Sequence, residues 1–155
     1  MLMTGCGFQI RGPVVLPYKT LYVSGSMTAD LKAYLSRQLK TGLTNTALVL
    51  TPDKAELILN IIETTGKQIL TYDANGNVSG YRLIVKVALT VKDKEGDELI
   101  GLSELFLTRD MDFSIGSPSA GENLEVFLFN DMRQDITVQI FRRLSSLANK
   151  KSTIE

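Results

Sequence analysis

The chain has 155 residues, enough for one domain with a sizeable hydrophobic core, and 44% of these residues are hydrophobic. Lys plus Arg and Asp plus Glu both number 17, so the net charge is zero and the totals lack the basic excess of a typical nucleic-acid-binding protein. The absence of His and the single Cys exclude Ser-His-Asp triads, imidazole metal sites, internal disulfides and Cys-cluster zinc sites.

The first 20 residues predict an extended leader, because glycines and prolines interrupt any apolar period there. A short strand is predicted at residues 21–23. A helix follows at residues 28–40, with Thr28 as the N-cap and Gly42 as the C′ residue that ends it. Its apolar residues fall on one face. They are Leu31, Tyr34, Leu35 and Leu39.

The next two segments predict β-strands. The first covers residues 46–51 and is stopped by Pro52. The second covers residues 55–72, whose Leu and Ile residues also suit a helix. The β-branched residues and the Thr-Thr-Gly interruption at residues 64–66 favour a strand with a bulge at that position.

The centre of the chain predicts an antiparallel meander. Residues 73–77 contain Asn-Gly, the favoured pair of a type I′ hairpin turn. Apolar residues then alternate with mainly polar ones, which indicates a strand with one face on a core. The apolar set is Tyr81, Leu83, Val85, Val87, Leu89 and Val91. A charged turn at residues 92–97 leads into a strand over residues 98–113.

The C-terminal part of the chain predicts a long helix. Residues 114–122 are rich in Ser, Gly and Pro and favour a loop, and Asn123 is the expected N-cap of a helix that runs to about residue 149. Apolar residues recur every four positions along this helix and form a stripe. The stripe comprises Leu124, Leu128, Met132, Ile136, Ile140 and Leu144, widened by Phe127, Val138 and Phe141.

These elements follow the order β-α-β-β-β-β-α and predict an α+β two-layer fold. We expect two helices packed on one face of a mostly antiparallel, mixed four-stranded sheet. The first strand is connected through a helix, so it is expected to pair in parallel with a neighbouring strand.

The cations of the meander have two interpretations. Arg82, Lys86 and Lys92 lie on the polar side of one strand. They either offer phosphates an electrostatic face or form the solvated side of a half-buried strand. The second interpretation is favoured.

The carboxylates of the meander fall into two groups. The first is Asp93, Glu95, Asp97 and Glu98. These residues surround a Gly as in a calcium loop, but their spacing is not that of such a loop and favours a charged hairpin tip. Asp110 and Asp112 would share a strand face without an acid/base partner, so we predict no active site there.

A possible lipid attachment site lies near the N-terminus. Residues 2–6, Leu-Met-Thr-Gly-Cys, are similar to the lipobox of bacterial lipoprotein precursors, in which small residues precede a Cys whose thiol receives a diacylglycerol. Thr4 and Gly5 fit that pattern. The alternative is a buried, unpaired Cys6, to which a Gly-rich leader is poorly suited.

The run after this motif, Cys-Gly-Phe-Gln-Ile-Arg-Gly at residues 6–12, closely resembles the mature N-terminus of the LPS-assembly lipoprotein LptE (RlpB) family. Further matches follow in register, and together they extend over nearly the whole chain. They are residues 35–39 with Gly42 in the first helix, Asn75 and Gly76 with Tyr81 in the central hairpin, and Asp131, Met132, Ile140 and residues 142–144 in the last helix.

The resemblance implies an outer-membrane lipoprotein that lies within the lumen of the LptD β-barrel and, with it, delivers lipopolysaccharide to the outer leaflet. Cys6 would carry the lipid, palmitate included, and Gly7 is not the Asp that retains lipoproteins at the inner membrane. The implied organisation has four parts. They are a signal-peptide remnant at residues 1–5, a lipidated leader at 6–20, a single LptE-like domain at 21–150 and a flexible tail at 151–155.

The resemblance does not supply a complete site. Ala74 and Gly121 stand where it would place basic residues linked to lipopolysaccharide contact, so no residue is assigned to that contact. Of the two aromatic residues near the start of the last helix, Phe127 is expected in the core and Phe129 against the wall of the barrel.

The expected function is therefore that of a partner subunit for an LptD-like β-barrel, with lipopolysaccharide as a further ligand. The alternative is another lipid-anchored periplasmic adaptor or assembly pilot protein that does not bind lipopolysaccharide. In either case we expect no enzymatic activity, no cofactor or metal and no nucleic acid.

Overall fold

A computed structural model describes residues 12–112 and 118–150. Two helices pack on one face of a mixed sheet, which confirms the predicted α+β two-layer fold. The elements, in chain order, are β1 (Val14–Val15), β2 (Thr20–Ser26), α1 (Ala29–Gly42), β3 (Leu43–Thr44), β4 (Ala47–Leu48), a 3-10 turn (Pro52–Lys54), β5 (Leu57–Tyr72), β6 (Val78–Asp93), β7 (Glu98–Asp112) and α2 (Pro118–Lys150).

The main sheet has the strand order β4-β2-β5-β6-β7. β2 pairs in parallel with β5, with Leu21 opposite Leu57, so the parallel pairing predicted for the first long strand is confirmed. β5, β6 and β7 form an antiparallel meander. The sheet has five strands rather than the expected four, because the two-residue β4 adds to the outer edge of β2. β1 and β3 form a separate parallel pair.

The core lies between one face of the sheet and the two helices. The alternation along β6 buries five residues on that face, as predicted. They are Leu83, Val85, Val87, Leu89 and Val91. The buried stripes of the helices pack against them: Leu31, Leu35 and Leu39 from α1, and Met132, Ile136, Ile140, Leu144 and Leu147 from α2. One continuous core therefore joins both layers.

The residues that begin and end α1 have different roles. Thr28 is the N-cap, as predicted, and its Oγ1 accepts a hydrogen bond of 3.3 Å from the backbone N–H of Leu31. Gly42 is not the C′ residue but the last residue of the helix. A Cβ atom at Gly42 would lie 2.5 Å from the ring of Phe141. Gly42 is therefore explained by the close approach of α1 and α2 and not by the end of the helix.

A buried carboxylate connects β5 to both helices. Glu63 Oε1 accepts a hydrogen bond of 2.8 Å from Arg133 Nε of α2. Its Oε2 accepts hydrogen bonds of 2.7 and 2.8 Å from the backbone N–H and the hydroxyl of Thr28. The side chains of Glu63 and Arg133 are only 2% and 11% exposed. This network fixes the start of α1 and the middle of α2 on the sheet.

The two turns of the meander share one construction. Asp73 N–H donates to the carbonyl of Asn77, and Gly76 N–H donates to the carbonyl of Asp73. Only Gly76 in this turn has a positive φ, of 82°, so the predicted type I′ turn is wrong, since that turn needs positive φ at both central residues. The turn from Asp93 to Asp97 has the same hydrogen bonds, with Gly96 at φ 91°.

The Asp side chain stabilises the first of these turns. Asp73 Oδ1 accepts hydrogen bonds of 2.8 and 2.9 Å from the backbone N–H groups of Asn75 and Asn77. The hydrogen bond from Asn77 makes the largest contribution to lowering the pKa of Asp73 below its ordinary value of 3.8. The ionised carboxylate is therefore the form that the folded turn favours.

β5 is a strand, as predicted, but its irregularity lies elsewhere. Its pairing with β6 runs without interruption from Leu57 to Ile69, through the predicted bulge at residues 64–66. The register shifts only between Ile69 and Tyr72, beside the turn. The strand predicted at residues 46–51 is reduced to β4, because the chain bends and enters the 3-10 turn at Pro52.

α2 begins earlier than predicted, at Pro118 and not after Asn123. Pro is favoured at the first position of a helix, because its fixed φ suits the helix and its missing N–H needs no partner there. The Ser/Gly-rich residues that follow are therefore helical. With 33 residues α2 is about 50 Å long. Among the described residues, no helix is both long and apolar enough to span a bilayer.

The described part of the predicted leader packs on the domain. Leu16 is buried in the core, and β1 pairs with β3, with Val14 opposite Leu43. Residues 1–11 of the predicted leader and the predicted tail at residues 151–155 lie outside the described residues.

We predict that Glu63→Gln lowers the free energy of unfolding by about 3 kcal/mol, because it leaves the buried Arg133 without its counter-charge. Urea unfolding followed by circular dichroism measures this change. Glu104→Gln is the matched control, since Glu104 pairs with Lys86 on the exposed sheet face and that pair contributes less than about 1 kcal/mol. Equal losses in the two variants would contradict a special role for Glu63.

We also predict that Asp73→Asn lowers the melting temperature at neutral pH and that the difference disappears in acid. Because the folded pKa is lowered, the stabilisation by Asp73 is fully present above the ordinary value of 3.8 and is lost as the pH falls through the folded pKa. Melting curves across this range test the prediction, with Asp53→Asn as a control for loss of an exposed carboxylate. A difference that persists unchanged at low pH would refute it.

Candidate functional site

The acidic side chains of the meander have structural roles. Asp93 Oδ1 accepts hydrogen bonds from the backbone N–H groups of Glu95 and Asp97, so the first carboxylate group forms the predicted charged hairpin tip. Asp110 accepts two hydrogen bonds from Arg82, which lower the pKa of Asp110 and raise that of Arg82. Within residues 12–112 and 118–150, no three acidic or Cys side chains gather in a way that could hold a metal ion.

The face of the sheet opposite the helices combines ion pairs with apolar side chains. Arg82 pairs with Asp110, and Lys86 pairs with Glu104, both at 2.8 Å across β6 and β7. Each of these four side chains is partly exposed, so the interpretation of Arg82 and Lys86 as the solvated side of a half-buried strand is confirmed. Phe106 is exposed on the same face.

Several exposed apolar side chains occur where the β5–β6 hairpin meets the start of α2, on more than one side of that helix. Lys67 of β5 joins the two elements, with its ammonium 2.5 Å from Glu125 of α2 and 4.1 Å from the centre of the Tyr81 ring. Exposed apolar side chains of the same two elements accompany this contact, and we call them the distal surface. They are Ile69, Tyr72, Leu124, Val126 and Phe127. Such a concentration of exposed apolar residues is typical of an interaction site.

The two aromatic residues near the start of α2 differ in their contact with the core. Phe127 is 65% exposed, so its predicted core position is wrong. Phe129 is partly buried and packs against the core, with its ring centre 5.5 Å from the guanidinium of Arg133, and its predicted contact with a barrel wall stays a prediction. The helical period explains both, since Phe129 is three residues before the buried Met132, whereas Phe127 is five residues before it and turned about 140° away.

The positions that the resemblance links to lipopolysaccharide contact lie at this same end. Ala74 is in the turn between β5 and β6, and Gly121 is in the first turns of α2. Neither can supply a charged group. Lys67 is already paired with Glu125. Apolar side chains therefore define the distal surface more than charge does.

The described N-terminal segment lies at the other end of α2. Residues 12–15 line a groove together with Phe141 and Ser145. Ser145 is about 27 Å from Phe127 along the helix. Cys6, the predicted lipid attachment residue, lies outside the described residues, as does the whole lipobox-like run. The chain leaves the described fold toward Cys6 at the end opposite the distal surface.

A comparison of the sequence with models of known protein families identifies the family of this chain. The sequence model of LptE, described as lipopolysaccharide-assembly, matches residues 18–144. The chain belongs to the LptE family. The match extends from the start of the main sheet through most of α2 and includes the whole meander. No curated protein sequence matches the chain.

Solved structures share this LptE fold. An uncharacterized lipoprotein B from Nitrosomonas europaea is 29% identical with a TM-score of 0.75, and the alignment covers 93% of this chain and 94% of that one. Rare lipoprotein B from Shewanella oneidensis is 21% identical with a TM-score of 0.68, over 82% and 94% of the two chains. A minor lipoprotein from Acinetobacter baumannii is 22% identical with a TM-score of 0.68, over 84% and 93%. These likenesses support the fold that the family match assigns to the chain.

Sequence reasoning missed the distal surface, although the sequence contains a signal for it. Val126 is a large apolar residue off the stripe of α2, and Phe127 only widens that stripe without belonging to its four-residue repeat. Ile69 and Tyr72 flank a polar turn, where apolar side chains have little core to enter. Large apolar residues outside the buried period were the available indication of a surface that a partner covers.

Proposed function

We propose that this LptE-family chain is an outer-membrane lipoprotein, anchored through lipid on Cys6, that binds an LptD-type β-barrel and helps it to assemble lipopolysaccharide in the outer leaflet. The family match over residues 18–144 carries this proposal. The lipobox-like run that ends at Cys6 supports the anchor, and Gly7 after it is compatible with outer-membrane sorting.

The arrangement of the two ends supports a subunit that is anchored at one end and binds at the other. The segment that leads to Cys6 lies beside the C-terminal half of α2, whereas the distal surface lies at the N-terminal half. An anchor at one end leaves the distal surface free to reach into a partner. Exposed aromatic residues such as Tyr72 and Phe127 are typical anchors of protein interfaces.

The sheet face opposite the helices suits the interior of a large barrel. The lumen of an outer-membrane barrel is polar. The ion pairs of Arg82 with Asp110 and of Lys86 with Glu104 leave this face with balanced charge, so it can lie against a polar wall without an unpaired buried charge. In this proposal the chain acts by binding the barrel and filling its lumen, and its side chains have no catalytic role.

We predict that the lipidated full-length protein co-purifies in detergent with a large outer-membrane β-barrel and that Phe127→Glu reduces the amount of barrel recovered roughly tenfold or more. An interfacial aromatic anchor contributes about 2 kcal/mol or more, and a buried carboxylate in its place adds a desolvation cost. Quantitative affinity purification from membranes measures the ratio of barrel to lipoprotein.

Leu50→Glu provides the matched control for this experiment. Leu50 is 94% exposed, and it follows β4 near the start of the main sheet, away from the distal surface. We expect its barrel recovery to equal that of the unchanged chain. Circular dichroism of both variants checks that they fold. If no barrel is recovered with the unchanged chain, the proposed function is wrong. If Leu50→Glu and Phe127→Glu lose the barrel equally, the distal surface is not the contact.

A further inference from the structure

A groove runs between the C-terminal halves of α1 and α2 and is closed on one side by residues 12–15. Its main part has a volume of about 940 Å³. A smaller part of about 300 Å³ continues from it along the two helices. Gln38, Thr41 and Val138 line both parts, so they form one continuous groove.

The lining of the groove combines apolar and polar side chains. Pro13, Val14, Val15, Val138, Phe141 and Ala148 supply its apolar lining. The hydroxyl groups there already donate within their own helices: Thr41 donates to the carbonyl of Arg37 at 2.9 Å, and Ser145 donates to the carbonyl of Phe141 at 2.7 Å. The protons of these hydroxyl groups are therefore already used, whereas the amide of Gln38 adds a polar group to both parts of the groove.

The sequence of the two helix halves that border the groove is rich in cations. From Leu31 to the end of α1 the sequence contains three cations and no carboxylate, and the same is true of α2 from Ile136 onwards. The six cations are Lys32, Arg37, Lys40, Arg142, Arg143 and Lys150, of which Arg143 donates a hydrogen bond of 3.1 Å to Ser103 of β7. The part of α2 before Ile136, in contrast, contains four carboxylates. Because α1 and α2 run in the same direction, their two basic halves lie side by side.

Two arginines of this set line the groove itself. Arg37 lines the smaller part and Arg142 the larger part. Neither forms an ion pair with a carboxylate in the described portion of the chain, although Arg37 lies 6.0 Å from the centre of the Tyr34 ring. Guanidinium groups bind phosphate oxygens in paired hydrogen bonds, so a partly apolar groove with two arginines in its lining matches a molecule that has both an apolar part and an anionic phosphate.

We propose that this groove binds an anionic phospholipid, with its phosphate at Arg37 and Arg142 and an acyl chain between the helices. The proposal rests on the proposed function for its membrane setting. Gly12 lines the groove, and the six residues back to Cys6 span at most about 20 Å. An anchor at Cys6 therefore keeps the groove within reach of the bilayer surface. Basic residues that lie near an anionic membrane add to the membrane affinity that the acyl chains of a lipoprotein provide.

The test uses the full chain purified without lipid on Cys6 and measures its co-sedimentation with vesicles. We expect binding to vesicles that contain phosphatidylglycerol and little binding to vesicles of phosphatidylcholine alone. Arg37→Gln and Arg142→Gln should each weaken binding about fivefold, and together about 25-fold. The control, Arg82→Gln with Lys86→Gln, removes two cations from the sheet face and should change binding less than about twofold. Equal losses in both double variants would overturn the proposal.

A second variant separates a lipid groove from a merely basic surface. Val138 is 39% exposed and lines both parts of the groove, so Val138→Lys adds a cation at the site with little demand on the core. If an acyl chain occupies the groove, this variant binds vesicles several-fold more weakly in spite of its extra charge. Tighter binding by Val138→Lys would overturn the proposed groove.

The remaining measurements identify the lipid and separate this proposal from the proposed function. A competition experiment identifies the lipid: purified lipopolysaccharide or phosphatidylglycerol is added to the chain bound to phosphatidylglycerol vesicles. If lipopolysaccharide displaces the chain at a lower concentration than phosphatidylglycerol does, the assignment to a phospholipid is overturned. Arg37→Gln with Arg142→Gln should still co-purify with the barrel, because the groove is far from the distal surface. Loss of vesicle binding with barrel recovery intact, or the reverse, then shows which of the two proposals fails.

Discussion

Glu63 lies where β5 meets the start of α1 and the middle of α2, and the positions of both helices depend on its carboxylate. One oxygen accepts from Arg133, and the other accepts from the backbone and hydroxyl of Thr28. A buried carboxylate is costly to desolvate, and only partners arranged around it offset that cost. The three bonds are satisfied together only when both helices have the observed positions on the sheet. This requirement makes Glu63 a specificity element as well as a source of stability.

The orientation of α2 follows from this contact and decides what the molecule presents to partners. With Arg133 turned toward Glu63, Met132 and Ile136 face the sheet and Phe129 packs beside them. Residues off that face must then point outward. At one end of α2 this exposes Val126 and Phe127, and at the other end it turns Val138 toward the groove. The same helical period thus produces the core, the distal surface and the lining of the groove.

The regular elements could be predicted from the sequence because each has a local cause. The alternation along β6, the face of α1 and the cap at Thr28 depend on residues that are near one another in the chain. The features that were mispredicted depend on distant residues or on backbone detail. Gly42 is small because Phe141 from another helix lies against it. The turn at residues 73–77 depends on the Asp73 carboxylate, which accepts hydrogen bonds from backbone N–H groups later in the turn. The Asn-Gly pair alone does not predict these bonds.

The candidate surfaces were even less accessible to sequence reasoning, because they depend on how α2 is rotated. Phe127 and Phe129 have the same chemistry and are two residues apart, yet the rotation of α2 on the sheet determines which of them packs against the core. Arg37 and Arg142, which line the groove, are 105 residues apart in the sequence, and the net charge conceals the basic halves of the two helices because the carboxylates of α2 lie before Ile136.

The division of α2 into an acidic and a basic half therefore gives the molecule two chemically different ends. The acidic half holds Lys67 and Arg109 of the sheet through ion pairs and carries the exposed apolar residues beyond them. The basic half has few carboxylates to meet and lies beside the segment that leads to Cys6. A protein tethered near a bilayer benefits from this order, because the cations lie where anionic headgroups can balance them and the apolar distal surface stays directed at a protein partner. Under the proposed function, reversal of the two halves would place like charges against the sheet and remove the basic half of α2 from the membrane side.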